Sequence, residues 1–190
     1  MLSVVIATAN SERALVPTLA PLVSGAAAGI VRDVVVVDAG SQDRTADVAD
    51  HAGCQLIVSD AGLAQRLRQG AASARGPWLL FLRPGTVLEG GWIEDVVRFV
   101  ERVERDGVER AAVFRPAAAT GERPAWREAL ALLRLSLGGS AKAGQGLLLT
   151  RKTYDRLGGH RDGVADPERD LARRLGRRAV MLRSAAVVLD

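Results

Sequence analysis

Two stretches restrict the fold more than any other: "LSVVIAT" (Leu2 to Thr8) and "DVVVVD" (Asp33 to Asp38). A strand with one wet face alternates apolar and polar residues. A nearly continuous β-branched run needs cover on both faces, as at the centre of a parallel sheet with crossover helices. Between the two runs, "SERALVPTLAPLVSG" has helical periodicity, with Ser11 placed to cap its start and Gly25 near its end, although Pro17 and Pro21 interrupt it.

The alternation continues along the chain. After Asp38, "AGSQDRTADVADHAG" gives a turn, a cap at Ser41 or Asp43, and a helix that stops near Gly53. A third strand at "CQLIVS", a helix "LAQRLRQGAASAR" and a fourth strand "PWLLFL" complete a βαβαβαβ first half. The second half is less regular. It reads as a helix from Trp92 to Val103, a strand "AAVFRP", a loop "AAATGERP", a helix "AWREALALLRLSLGG", a strand "GLLLT", a short helix from Arg151, a helix "DPERDLARRLG" and a last strand "AVMLRSAAVV". No internal repeat is evident, and the one candidate hinge, "PAAATGERPA", is too short for a domain linker. Residues 1–190 are therefore expected to form a single α/β domain, a mostly parallel central sheet flanked by helices.

Composition narrows the class. A chain of 190 residues with 48% hydrophobic content can bury one sizeable core. The lone cysteine, Cys54, has no intrachain disulfide partner, and the start "MLSVVIAT" lacks the basic flank and long apolar core of a leader, so a cytoplasmic location is expected. No window approaches the roughly 20 uncharged apolar residues of a spanning helix. Of the 26 basic residues only Lys142 and Lys152 are lysine. The planar arginine fork suits phosphate, which makes an anionic substrate plausible, while a compositional preference accounts for most of these residues. Aromatic residues, at 4%, are too few for a stacking platform, and no nucleic-acid partner is expected.

In an open α/β sheet, ligands sit beyond the carboxyl ends of the strands. Those positions hold Ala7, Thr8, Asn10 and Glu12 after the first strand, Asp38, Gly40, Ser41 and Asp43 after the second, and Arg83, Gly85 and Thr86 after the fourth. Neither GxGxxG nor GxxxxGK[ST] is present, which argues against a Rossmann dinucleotide site and a P-loop.

Four blocks in order, "SVVIATANSERAL", "VVVVDAGSQDRTADVA", "GAASARGPWLLFL" and "GQGLLLTRKTYDRLGGH", resemble the family 2 glycosyltransferases, proteins of GT-A fold that transfer a sugar from a nucleoside diphosphate donor to an acceptor. The likeness extends to a bacterial subgroup. It implies that Thr8, Asn10 and Glu12 line the nucleoside end of the donor and that Asp38 accepts a hydrogen bond from the base or ribose, as a carboxylate at a strand end is able to do. Gly40 and Ser41 lie in the same loop as binding candidates. The competing reading of Asp38, Ser41, Asp43 and Thr45 is a capped turn, which suits Ser41 and Asp43 better than Asp38.

The departures from the family pattern are as informative. Its Asp-x-Asp, which holds Mn²⁺ or Mg²⁺ against the diphosphate, falls on Arg83-Pro84-Gly85, whose side chains offer no oxygen ligand. In one account Arg83 supplies fixed positive charge to the diphosphate, assisted by Arg66 or Arg68; in the other, Pro84-Gly85 is an ordinary turn, Arg83 is solvated and catalysis is lost. In the family's GRxxQxNxG segment this chain has Leu63 and Arg68 at the arginine and asparagine positions. Gly144 takes the acidic place of Gly-Asp-Gln-Gly, while Gln145 and Gly146 persist.

Where an inverting family member keeps a Glu-Asp pair whose Asp deprotonates the acceptor, this chain has Pro167-Glu168. Glu168 is the candidate base, with Asp166 and Asp170 as rivals; the bland reading is a helix start with acids in its first turn and Arg173, Arg174 and Arg177 towards its end. His51 and His160 show no metal-ligand spacing and are read as structural or surface residues. The expectation is a glycosyltransferase acting on a nucleotide-sugar donor and an acceptor without the usual metal ligands. The alternative is a nucleotide-binding or scaffolding protein that keeps the fold without the chemistry.

Overall fold

A computed structural model describes residues 1–117 and 145–189. The expected helix over residues 125–139, the hinge with most of its loop, and Gly144 lie outside the described residues. In chain order the elements are β1 (Leu2–Thr8), α1 (Glu12–Ala27), β2 (Val31–Asp38), α2 (Thr45–His51), β3 (Gln55–Val58), α3 (Leu63–Ser73), β4 (Trp78–Leu82), β5 (Thr86–Leu88), α4 (Trp92–Asp106), β6 (Ala111–Ala117), β7 (Leu147–Thr150), α5 (Arg151–Arg156), α6 (Pro167–Leu175) and β8 (Ala179–Val188).

The strands form one sheet in the order β3-β2-β1-β4-β7-β6-β8-β5. Strands β3, β2, β1 and β4 are parallel, as the βαβ alternation predicts. Beyond them the sheet is mixed rather than purely parallel: β6 and β8 run parallel, while β7 runs antiparallel to β4 and β6, and β5 antiparallel to β8. A short buried run such as "LLLT" is apolar in either direction, so its composition carries no sense of orientation. Strand β5, three residues on the sheet edge, is too short to signal itself in the sequence.

The unalternating runs are buried on both faces. Val4, Ile6, Leu80 and Leu82 pack with Leu15, Leu19, Leu22, Trp92, Val96 and Phe99 of α1 and α4. Their neighbours Val5, Leu79 and Phe81 pack on the other face with Leu67, Ala71, Tyr154 and Leu171. Helix α1 runs through Pro17 and Pro21 to Ala27, past the stop expected near Gly25. Each proline removes one main-chain donor, but the buried stripe of Leu15, Leu19 and Leu22 holds the helix on the sheet. Helix α3 lies close on β1 because Gly70 has no side chain: a Cβ there would come within 2.5 Å of Val5 Cγ1. Among the described residues no helix is long and apolar enough to cross a membrane.

Candidate functional site

The carboxyl ends of β1, β2 and β4 lie side by side, with Thr8 in register with Asp38 and Ile6 with Leu82. The loops that follow β1 and β2 are laced together. The Asn10 N–H donates to Ser41 Oγ (2.7 Å), and the Gln42 N–H donates to Asn10 Oδ1 (2.9 Å). The Ser11 N–H donates to Thr45 Oγ1 (2.7 Å), and the Glu12 N–H to Asp43 Oδ2 (3.0 Å). Asn10 adopts φ 47, a left-handed conformation that asparagine tolerates better than most residues. Thr8, Asn10, Glu12, Asp38, Gly40 and Ser41 are thus brought together.

Asp38 is 2% exposed and both its oxygens are filled. Oδ1 accepts from Thr8 Oγ1 (2.7 Å) and Ser41 Oγ (2.6 Å), and Oδ2 from the N–H groups of Gly40 (2.9 Å) and Ser41 (2.6 Å). Four donors match the acceptor capacity of a carboxylate, so Asp38 organises the loop from within. Burial opposes its charge, but the hydrogen bonds from Ser41, Thr8 and Gly40 outweigh it and hold the carboxyl below its ordinary value. Asp43 does in the next turn what Asp38 does here, accepting from Thr45 N (3.0 Å) at the start of α2.

The arginines expected to reach a diphosphate are placed differently. Arg66 is buried under the two loops, its Nε donating to Ala61 O (3.1 Å) and its Nη1 to Thr8 O (2.5 Å). Its length lets it reach the main-chain carbonyls at the strand ends, and desolvation lowers its pKa although Asp38 nearby supports the charge. Arg68 donates to His160 O (2.6 Å) and pairs with Asp162 (2.6 Å), tying α3 to the loop before α6.

After β4, the Thr86 N–H closes on Arg83 O (3.0 Å), with Pro84 second and Gly85 third at φ +86, the pattern of a type II turn. Gly85 is wedged in: its N–H donates to Ala14 O (2.9 Å) and Thr18 Oγ1 (2.9 Å), and its carbonyl accepts from the Leu189 N–H (2.9 Å). The Arg83 side chain is neither free nor merely solvated. Its Nη2 donates to Asp166 Oδ1 (2.9 Å) and its Nε to Glu168, while the side chain stays 35% exposed. The expected Arg83 and Glu168 therefore meet, joined by Asp166.

Asp166 also caps α6, accepting from the Arg169 N–H (3.0 Å), with Pro167 at the first position. Burial pushes the Glu168 carboxyl above its ordinary range against the pull of Arg83. Asp170 turns away from this group. It is buried and bound by Arg173 (3.0 Å) and Arg174 (2.8 Å), which hold its pKa down against burial. Arg174 in turn donates to the carbonyls of Leu157 and Gly159, so Asp170 anchors a loop. Gln145 is buried beside β6, its Nε2 donating to Phe114 O (2.9 Å).

Mn²⁺ or Mg²⁺ needs several oxygen ligands. At the end of β4 the side chains of Arg83, Pro84 and Gly85 offer no oxygen, and the two carboxylates that reach this end, Asp166 and Glu168, are paired with the Arg83 guanidinium. Among the described residues no group of three or more His, Cys, Asp and Glu side chains could hold a metal ion. This donor set does not fit a divalent cation.

Sequence reasoning missed a second polar centre. His160, 1% exposed, accepts from or donates to Tyr154 Oη through Nδ1 (2.9 Å), and Phe81 packs edge-on against its ring. Desolvation, with Arg174 and Arg68 nearby, pushes its pKa down to about 3. Beside it a cleft of about 270 Å³ opens between α3 and α5, lined by Arg68, Arg151, Tyr154 and Gly159 among others. His160, expected to be a structural or surface residue, is thus buried and held from within the core.

The sequence model of the family described as "Glycosyl transferase family 2" matches residues 3–168. No curated protein matches the sequence. Among solved structures, residues 1–349 of TarS from S. aureus superpose with a TM-score of 0.72 at 14% identity, over 98% of this chain and 60% of that one. The mannosyltransferase PcManGT from Pyrobaculum calidifontis, in complex with GDP-Man and Mn²⁺, gives 0.72 at 17% identity, over 95% and 55%. Glucosyl-3-phosphoglycerate synthase from Mycobacterium tuberculosis, in complex with Mn²⁺, UDP and glucosyl-3-phosphoglycerate, gives 0.63 at 21% identity, over 95% and 68%. TarS is also solved with UDP and with UDP-GlcNAc. These likenesses establish a GT-A fold, and this chain spans little more than half of the first two structures.

Proposed function

The chain belongs to glycosyl transferase family 2, and from that premise we propose that it transfers a hexose-type unit from a nucleoside diphosphate sugar to an acceptor hydroxyl, with inversion and without a carboxylate-held metal. The observation that carries this reading is the meeting of Arg83 and Glu168 at the end of β4. In the proposed step the acceptor oxygen attacks the anomeric carbon and gives its proton to Glu168. The bond from that carbon to the diphosphate oxygen breaks with its electron pair, and Arg83 neutralises the charge that develops on the leaving group. Glu168 takes precedence over Asp170, whose two oxygens are held by Arg173 and Arg174.

Donor recognition is assigned to the laced loops after β1 and β2. With its oxygens filled by Thr8, Gly40 and Ser41, Asp38 is given a positioning part: it shapes the loop against which the nucleoside rests. Exposed Asn10 and half-buried Glu12 and Ser41 supply the contacts. Binding of UDP, UDP-GlcNAc and GDP-Man by proteins of the same fold supports the donor class.

One observation favours a second reading, a fold that binds nucleotide without chemistry: Arg66, Asp38, Asp170 and Gln145 are all engaged in internal hydrogen bonds. Calorimetric titration with UDP-, GDP- and dTDP-sugars, in Mn²⁺ and again in EDTA, followed by sugar-release assays, separates the two. Metal-free transfer expects binding that survives EDTA and sugar release that Arg83→Ala diminishes. Undiminished release in Arg83→Ala counts against the mechanism, and binding with no release supports the second reading.

A further inference from the structure

We propose that the ion pair of Arg83 with Glu168 and Asp166 is a latch that the donor opens: an incoming diphosphate takes the guanidinium from the two carboxylates and so releases Glu168 towards the acceptor. The inference rests on the reading of this site as one for nucleoside diphosphate sugars, and adds to it an order of events.

Three features of the cluster support the exchange. First, Arg83 keeps 35% of its side-chain exposure, so a ligand at the strand ends has access to its guanidinium while the carboxylates hold it. Second, the two acids differ in what else they do. Asp166 caps α6 through the Arg169 N–H and stays in place without Arg83, whereas among the described residues Arg83 is the only hydrogen-bond partner of the Glu168 carboxylate. Third, a diphosphate offers the guanidinium the same paired-oxygen geometry as the carboxylates with more charge, and so is able to compete for it. In the latched state the positive charge that the leaving group needs and the carboxylate that the acceptor needs neutralise each other. Neither is free until a donor arrives, so donor binding precedes activation of the acceptor.

The test is calorimetric titration of UDP and GDP, without added metal, into the wild-type protein, Glu168→Gln, Asp166→Asn, Arg83→Gln and the Arg83→Gln/Glu168→Gln double variant. Asparagine still caps a helix and glutamine keeps the shape of Glu168, so the folded site survives both changes. The expected result is a nucleoside diphosphate affinity about tenfold tighter in Glu168→Gln than in wild type, with a smaller gain in Asp166→Asn, because each removes a competitor for Arg83. That gain disappears in the double variant. Equal affinity in wild type and Glu168→Gln overturns the latch and leaves the donor-site reading standing. A gain that persists in the double variant also overturns it, since the effect is then one of general charge. Binding by none of the five proteins overturns both the latch and the donor site.

Discussion

Arg83 Nη2 lies 2.9 Å from Asp166 Oδ1, an ion pair that joins the turn after β4 to the cap of α6 across 83 residues of sequence. The contact puts a cation from the first half of the chain and two acids from the second at one end of the sheet.

Because this cluster is part-buried, Arg83→Met is expected to cost stability as well as function. Two carboxylates would be left facing each other, at a cost of about 1–2 kcal/mol, below the value for a fully buried pair because a third of Arg83 is in water. Urea denaturation with an unchanged midpoint would show the pair to be energetically idle.

Asp38→Ala is expected to destabilise more, by about 2–4 kcal/mol, since two main-chain N–H groups and two hydroxyls lose their acceptor in a buried loop. Thr8→Val, which removes one of the four donors, should cost a fraction of that. The measurement is the denaturation midpoint of both variants, and similar midpoints for Asp38→Ala and Thr8→Val would refute Asp38 as the organiser of the loop.

Gly85→Ala is expected to be poorly tolerated while Pro84→Ala is not. A Cβ at Gly85 would lie 2.7 Å from Leu189 O at φ +86, where both neighbour and backbone are fixed, at a cost of about 1–3 kcal/mol. Pro84 contributes mainly by restricting the unfolded chain, worth about 0.4–1 kcal/mol. Thermal melts of the two variants should separate clearly, with Gly85→Ala the lower.

His160 sets a pH dependence whose sign follows from its depressed pKa. The folded state refuses a proton until about pH 3, while the unfolded chain takes one at about 6.5, so stability is complete above 6.5 and declines as pH falls towards 3. The slope contributed is up to about 1.4 kcal/mol per pH unit. Glu168 acts in the opposite direction: its carboxyl is raised when folded, so stability is gained as pH falls through the folded value towards 4.5. Removing the imidazole with His160→Phe should flatten the decline between pH 6.5 and 4.5. A pH profile of denaturation unchanged by that substitution would contradict the assignment.

The central half of the sheet was legible because Leu2–Thr8 and Val31–Asp38 carry a local signal, an apolar run that only cover on both faces satisfies. Thr8, Asn10, Glu12, Asp38, Gly40 and Ser41 were legible as a group for a related reason: residues just past the ends of adjacent parallel strands have to be neighbours. The direction of β7 and the existence of β5 were not, since a three- or four-residue apolar run fits either direction and either edge.

Sequence by itself determined the α/β class, the parallel centre and the family, because periodicity and ordered motifs are properties of short stretches. It also determined that the position after β4 holds Arg83, Pro84 and Gly85, and left a turn there as part of one of two accounts. Only the tertiary structure decided what the charged side chains do. Asp38 faces four donors, Arg66 reaches carbonyls, Asp170 turns to Arg174, and Arg83 meets Glu168. The physical reason is that a charge takes its meaning from its partner, and folding chooses partners by distance in space, here between residues 83 and 168, which no local pattern encodes.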